Sequence, residues 1–103
     1  MNLNFNEVGQ VIRVNVGKDI SLSTPTLILQ PEAGITKEIT NGVTIPNVQV
    51  VTDAETFEAN EYIEYTTIVN DLNYVSRWKK KAKLDFSSLN IEQTDFVKFR
   101  VLP

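Results

Sequence analysis

The chain has neither histidine nor cysteine in its 103 residues. It therefore has no imidazole base titrating near neutral pH, no thiolate nucleophile, no disulfide, and none of the Cys/His ligand sets of zinc and iron sites. Catalysis would rest on carboxylates, Lys, Ser/Thr and Tyr alone, as in a glycosidase-like carboxylate pair or a Ser-Lys dyad, and no paired-carboxylate motif is found. A protein without catalytic residues, metal or cofactor is expected. Glycine is scarce too: Gly9, Gly17, Gly34 and Gly42 stand singly, which excludes a phosphate-cradling Gly-rich loop and a nucleophile elbow. The longest apolar run, near Thr26 to Leu29, falls far short of the roughly 20 residues a membrane-spanning helix needs. No membrane association is expected. Met1-Asn2-Leu3-Asn4-Phe5-Asn6 lacks the basic and apolar regions of a secretion signal, so the expected site of synthesis is the cytosol.

What is present suits one folded domain. Hydrophobic residues make up 42%, with five Phe, three Tyr and one Trp among them, while 22% are charged for a net charge of −3. That is enough apolar material for a single core and lacks the signature of a disordered chain. Residues 1–7 read as a flexible N-terminal arm and 8–103 as the domain.

Apolar residues recur with period two, in short segments separated by Gly, Pro, Asn and Asp. Gln10 to Val16 reads as a strand with Ile12, Val14 and Val16 on one face, ended by a turn at Gly17-Lys18-Asp19. Thr26 to Gln30 follows, stopped by Pro31-Glu32-Ala33-Gly34, where Gly34 is expected to supply a positive φ. Ile35 to Thr40 and Asn47 to Val51 flank Asn41-Gly42, a hairpin signal, with Pro46 implying a bulge or an edge. Asp53 to Asn60 reads as an acidic loop or one irregular helical turn. Glu61 to Val69 and a long Val75 to Phe86 are strands, the latter with Trp78, Ala82, Leu84 and Phe86 on one face. After a break at Ser87-Ser88-Leu89-Asn90, Asp95 to Leu102 closes with Val97, Phe99 and Val101 inward. About seven short strands predict an all-β fold, an immunoglobulin-like antiparallel β-sandwich, with a small β-barrel as the alternative.

Val14-Asn15-Val16 leading into Asp19-Ile20-Ser21, Leu27-Ile28-Leu29 before Pro31-Glu32-Ala33-Gly34, Tyr62, Tyr65-Thr66-Thr67 ahead of Asp71-Leu72, Trp78 opening a long strand, and Phe99-Arg100-Val101-Leu102-Pro103 together resemble the small Ig-like structural proteins of tailed bacteriophages. The resemblance spans most of the chain. Ser76 stands where that pattern commonly has Gly two residues before the Trp. The resemblance implies a non-catalytic virion protein made in the host cytoplasm, a capsid decoration or cement protein or a tail or baseplate adaptor. Its partners would be the major capsid protein, tail or baseplate proteins, or copies of itself. A carbohydrate- or host-surface-binding module is the alternative, with Tyr62, Tyr74 and the acidic segment as its platform.

Charge is segregated along the chain. Lys37 and Arg77 bracket a stretch without basic residues in which Asp53, Glu55, Glu58, Glu61, Glu64 and Asp71 are acidic, and five of the ten basic residues then fall in Arg77 to Lys83. With Trp78 inward, period two sends Arg77, Lys79, Lys81 and Lys83 to the other face as a basic row and aims Lys80 inward, its stem along the core and its ammonium at the rim. The row reads either as a solvated strand face pairing with Glu61 or Glu64, or as a surface complementary to an acidic patch on neighbouring copies or a scaffold. Nucleic acid is disfavoured by the acidic chain and by the lack of aromatics alternating with these lysines. Leu3 and Phe5 of the arm, Phe57 of the acidic segment, an exposed Tyr62 and an unpaired sheet edge complete the candidate contacts, whereas Tyr65 is expected inside.

Overall fold

Alternating β-branched and aromatic residues favour pleated strands with one buried face, and the computed structural model, which describes residues 2–87 and 89–103, is all-β with no helix among them. Its strands are β1 (Asn2–Asn4), β2 (Val11–Asn15), β3 (Thr24–Pro31), β4 (Lys37–Ile39), β5 (Val50–Val51), β6 (Thr56–Phe57), β7 (Tyr62–Thr66), β8 (Ser76–Ser87), β9 (Asn90–Gln93) and β10 (Val97–Leu102). Met1 of the expected arm and Ser88 of the expected break lie outside the described residues. The larger sheet runs β1-β10-β8-β3-β4, with β9 also paired to β8, while β2-β7 and β5-β6 form separate ladders. All pairings are antiparallel except β1 with β10.

β9 and β10 share one edge of β8. Lys83 faces Gln93 and Lys80 faces Val97, so two residues of β8 oppose three between them, a one-residue bulge. Thr94 bridges the gap: its N–H donates to the Ala82 carbonyl and its Oγ1 accepts from the Ala82 N–H, both at 3.0 Å.

The core lies between the larger sheet and the β2-β7 layer. Leu27, Leu29, Trp78, Ala82, Leu84, Phe99 and Val101 from the first meet Ile12, Val14, Ile63 and Tyr65 from the second. Trp78 is inside as expected, its ring 6.0 Å from that of Phe99 and its Nε1 donating to the Tyr74 carbonyl at 3.0 Å. Val97 shares the inward register of β10 yet is half exposed.

Four expectations are corrected. Residues 2–4 are no loose arm: an open edge of β10 offers a ladder, Asn2, Leu3 and Asn4 pair in register with Arg100, Val101 and Leu102, and Leu3 is buried in the core. Gly34 has no positive φ. It is needed for space, because a Cβ there would meet Tyr74 Cε2 at 2.8 Å and Pro31 Cγ at 2.9 Å. The turn at Asn41-Gly42 forms, with Gly42 at φ 84°, but no hairpin follows. Instead the chain crosses from β4, paired to β3, to the other layer, where Thr44 bridges Glu64. Finally, the acidic segment is a hairpin, β5-β6, closed by Thr52, whose N–H and Oγ1 both donate to the Glu55 carbonyl.

Candidate binding surface

β8 sorts its side chains strictly by parity. Trp78, Lys80, Ala82 and Leu84 are buried, and Arg77, Lys79, Lys81 and Lys83 face out. β10 does the same with Phe99 and Val101 inside and Lys98 and Arg100 outside. Their register sets Lys98 directly opposite Lys79 and Arg100 opposite Arg77. Six of the ten basic residues thus share one sheet face. Strands about 4.8 Å apart and an i, i+2 step of about 6.8 Å make Arg77, Lys79, Lys98 and Arg100 a two-by-two grid of cations.

That grid lines a shallow cavity of about 730 Å³, shared with Asn2, Gln30 and Glu32. Further along, Lys83 approaches Glu38 at 4.0 Å, and Phe96, carried out by the bulge, lies under Lys81 (4.5 Å from Nζ to the ring centroid) and Lys79 (5.8 Å). Among the described residues no carboxylate is within ion-pair distance of the four grid cations.

The other basic residues are engaged. Arg13 pairs with Glu64 at 2.9 Å, Lys18 with Glu92, and Lys37 donates to the carbonyls of Asn70 and Asp71 at 2.7 and 2.9 Å. Lys80 has its stem along the core as expected, and its Nζ donates to the Arg13 carbonyl at 2.7 Å. Burial pushes the Lys80 ammonium below its ordinary pKa, with nearby Glu55 opposing and Arg13 reinforcing the shift.

Three exposed acids, Asp53, Glu55 and Glu58, lie on the opposite side, whereas Glu32, Glu38 and Asp85 stand on or beside the larger sheet. β5-β6 lies across the outer face of β2-β7: Thr56 O accepts from Asn15 Nδ2 at 3.0 Å, the Phe57 and Tyr62 rings are 5.3 Å apart, and Tyr62 donates its hydroxyl to Val48 O at 3.0 Å. Asp53, Glu55 and Glu58 are exposed there, with Glu58 Oε1 accepting from Gln49 Nε2 at 2.8 Å.

This third layer explains the misplaced aromatics. Tyr62 does project from the outward face of β7, beside Glu64, but residues 43–60 fold over it, leaving it 0% exposed, and Phe57 is buried beneath the same cover. Tyr65, expected inside, is buried too, its hydroxyl donating to Asp71 Oδ2 at 2.5 Å. Of the candidate contacts, Leu3, Phe57 and Tyr62 are therefore interior; Phe5 is 43% exposed. Arg77, Lys79, Lys81 and Lys83 stand together as expected, without Glu61 or Glu64 opposite, because β7 belongs to the other layer. Lys98 and Arg100 were legible as outward residues of β10. Joining them to the row required the strand order. An aromatic does accompany the lysines: Phe96 comes from the bulge, outside any alternation within β8.

Chemically, this face is suited to receiving anionic groups. Among the described residues, no group of three or more acidic side chains is placed to hold a metal ion. No family model, curated protein or solved structure matches the chain.

Proposed function

We propose that the chain is a non-catalytic structural module, an Ig-like sandwich of a tailed-phage particle, which docks the cationic face of its larger sheet on acidic protein surfaces of the virion. The order β1-β10-β8-β3-β4 over β2-β7, with β1 closing parallel on β10, supports the Ig-like reading, since two sheets joined by crossovers between non-adjacent strands are the Greek-key pattern of such domains. Trp78 departs from that pattern: by strand order it lies on the penultimate major strand rather than on the third.

One observation carries the docking role, the pairing of Lys79 with Lys98 and of Arg77 with Arg100 directly across the ladder. Like charges so placed oppose folding. A face that costs stability while contributing nothing to the core is what an interaction surface looks like. On a symmetric particle, modest individual contacts become firm through repetition.

Peptide mass spectrometry of gradient-purified particles, with copy number referred to the major capsid protein, tests the assignment. A ratio near one places the chain on the head as decoration or cement, and a few copies place it on the tail or baseplate. Absence from the particle refutes the proposal.

A further inference from the structure

We infer that the cationic face takes the acidic β5-β6 hairpin of a second copy of this chain, so that copies associate head to tail. The inference rests on the reading of that face as the docking surface and names its occupant.

The two surfaces are complementary and cannot meet within one chain. The grid of Arg77, Lys79, Lys98 and Arg100 faces out from the larger sheet, Asp53, Glu55 and Glu58 face out from the hairpin, and the core and the β2-β7 layer separate them. Layers spaced about 10 Å apart put the two charge clusters roughly 20 Å from each other. The chain, of net charge −3, thus carries a cationic and an acidic cluster on opposite sides. Its cations outside the grid are engaged by Glu64, Glu92, Glu38 or backbone carbonyls, or lie against the Phe96 ring. The hairpin supplies a matching projection. It is two residues long on each strand and closed by Thr52, and the hollow lined by the four grid cations holds about 730 Å³, with Asn2, Gln30 and the single acid Glu32 also on its wall.

Because donor and acceptor surfaces differ, the contact is heterologous. Each copy keeps one unused surface of each sign, and successive additions either close a ring or extend a row. Complementary charge of this kind steers encounter and fixes register.

The test uses sedimentation velocity on the full chain and two neutralised variants, Lys79→Gln/Lys98→Gln/Arg100→Gln on the face and Asp53→Asn/Glu55→Gln/Glu58→Gln on the hairpin. Circular dichroism checks that each is folded; every substituted side chain is solvent-facing. The wild type is expected to associate with rising concentration at about 0.01 M salt, weakening at least ~10-fold towards 1 M as the screening length falls from about 30 to 3 Å. Either variant alone is expected to be monomeric. Their equimolar mixture retains one intact contact and should give a 1:1 heterodimer that grows no further. A wild type monomeric at low salt, a variant that still associates alone, or a monomeric mixture overturns the inference. Retention on single-stranded DNA that needs the face, by a monomeric wild type, overturns it in favour of a polyanion. The docking reading fails separately, if the face variant enters particles at the wild-type copy number.

Discussion

Replacing Lys98 with Glu should make the isolated chain more stable. Lys98 lies opposite Lys79, with Arg77 and Lys81 on the diagonals, and is exposed. Two unit charges about 6 Å apart in water interact by roughly 0.7 kcal/mol, so reversing one swings the direct pair by about 1.4 kcal/mol before screening. Solvent and side-chain freedom reduce such exposed pairs, leaving a gain of about 0.5–1 kcal/mol at low salt. In a domain of about 100 residues this corresponds to roughly 2–6 °C in Tm. Lys98→Gln, which only removes the repulsion, should gain about half as much. Urea unfolding followed by the fluorescence of Trp78, the sole tryptophan and 1% exposed, reads both. The gain should nearly vanish at 1 M salt, where the screening length is about 3 Å. A destabilised Lys98→Glu, or a gain that survives high salt, would refute the claim that the face is electrostatically frustrated, and with it the main support for a docking role.

Three further outcomes follow from the packing. Tyr65→Phe removes a part-buried hydrogen bond to the Asp71 carboxylate and should cost about 1–2 kcal/mol at neutral pH. Burial and Asp71 raise the Tyr65 pKa in the fold, so its contribution is complete below the unfolded value near 10 and is lost as pH climbs above it; the stability gap between wild type and variant should narrow above pH ~10 in urea titrations. Gly34→Ala drives a Cβ to within 2.8 Å of Tyr74 and 2.9 Å of Pro31 and should cost about 1–2 kcal/mol, whereas an unchanged urea midpoint would show that Tyr74 swings aside freely. Phe57→Ala takes the hairpin's anchor off Tyr62, and a loss of about 3 kcal/mol is expected together with new proteolytic cleavage near residues 52–55.

Where burial is decided within a strand, the sequence is a good guide. The alternation in β8 placed Trp78, Ala82 and Leu84 inside and the basic row outside, and the structure has them so. Position relative to distant segments was illegible. Period two put Tyr62 on the correct, outward face of β7, but only the fold of residues 43–60 reveals that this face is covered. Leu3 is one apolar residue in a polar tripeptide; its burial follows from the free edge of β10, nearly a chain length away. β9 escaped notice because Ile91 is its only large apolar residue and is half exposed. The grid was half legible for the same reason. Arg77 and Lys79 belong to one pattern and Lys98 and Arg100 to another, and no local rule says that β10 lies beside β8.

The edges of the sheets bear on the proposed docking, because an open edge is the usual alternative to a face. β2 has β7 on one side only. On its other side the Arg13 carbonyl is taken by the ammonium of Lys80, reaching across from the larger sheet, and the Asn15 side chain is tied to Thr56 O in the hairpin. An incoming strand would have to displace both contacts. The open edges of the larger sheet are β1, β4 and β9, three or four residues each. β4 carries Lys37 and Glu38, and short charged edges pair poorly with strangers. What remains accessible, wide and chemically distinctive is the cationic face itself. By closing the edge of β2, Lys80 disfavours strand addition there, which accords with the proposed docking through the sheet face.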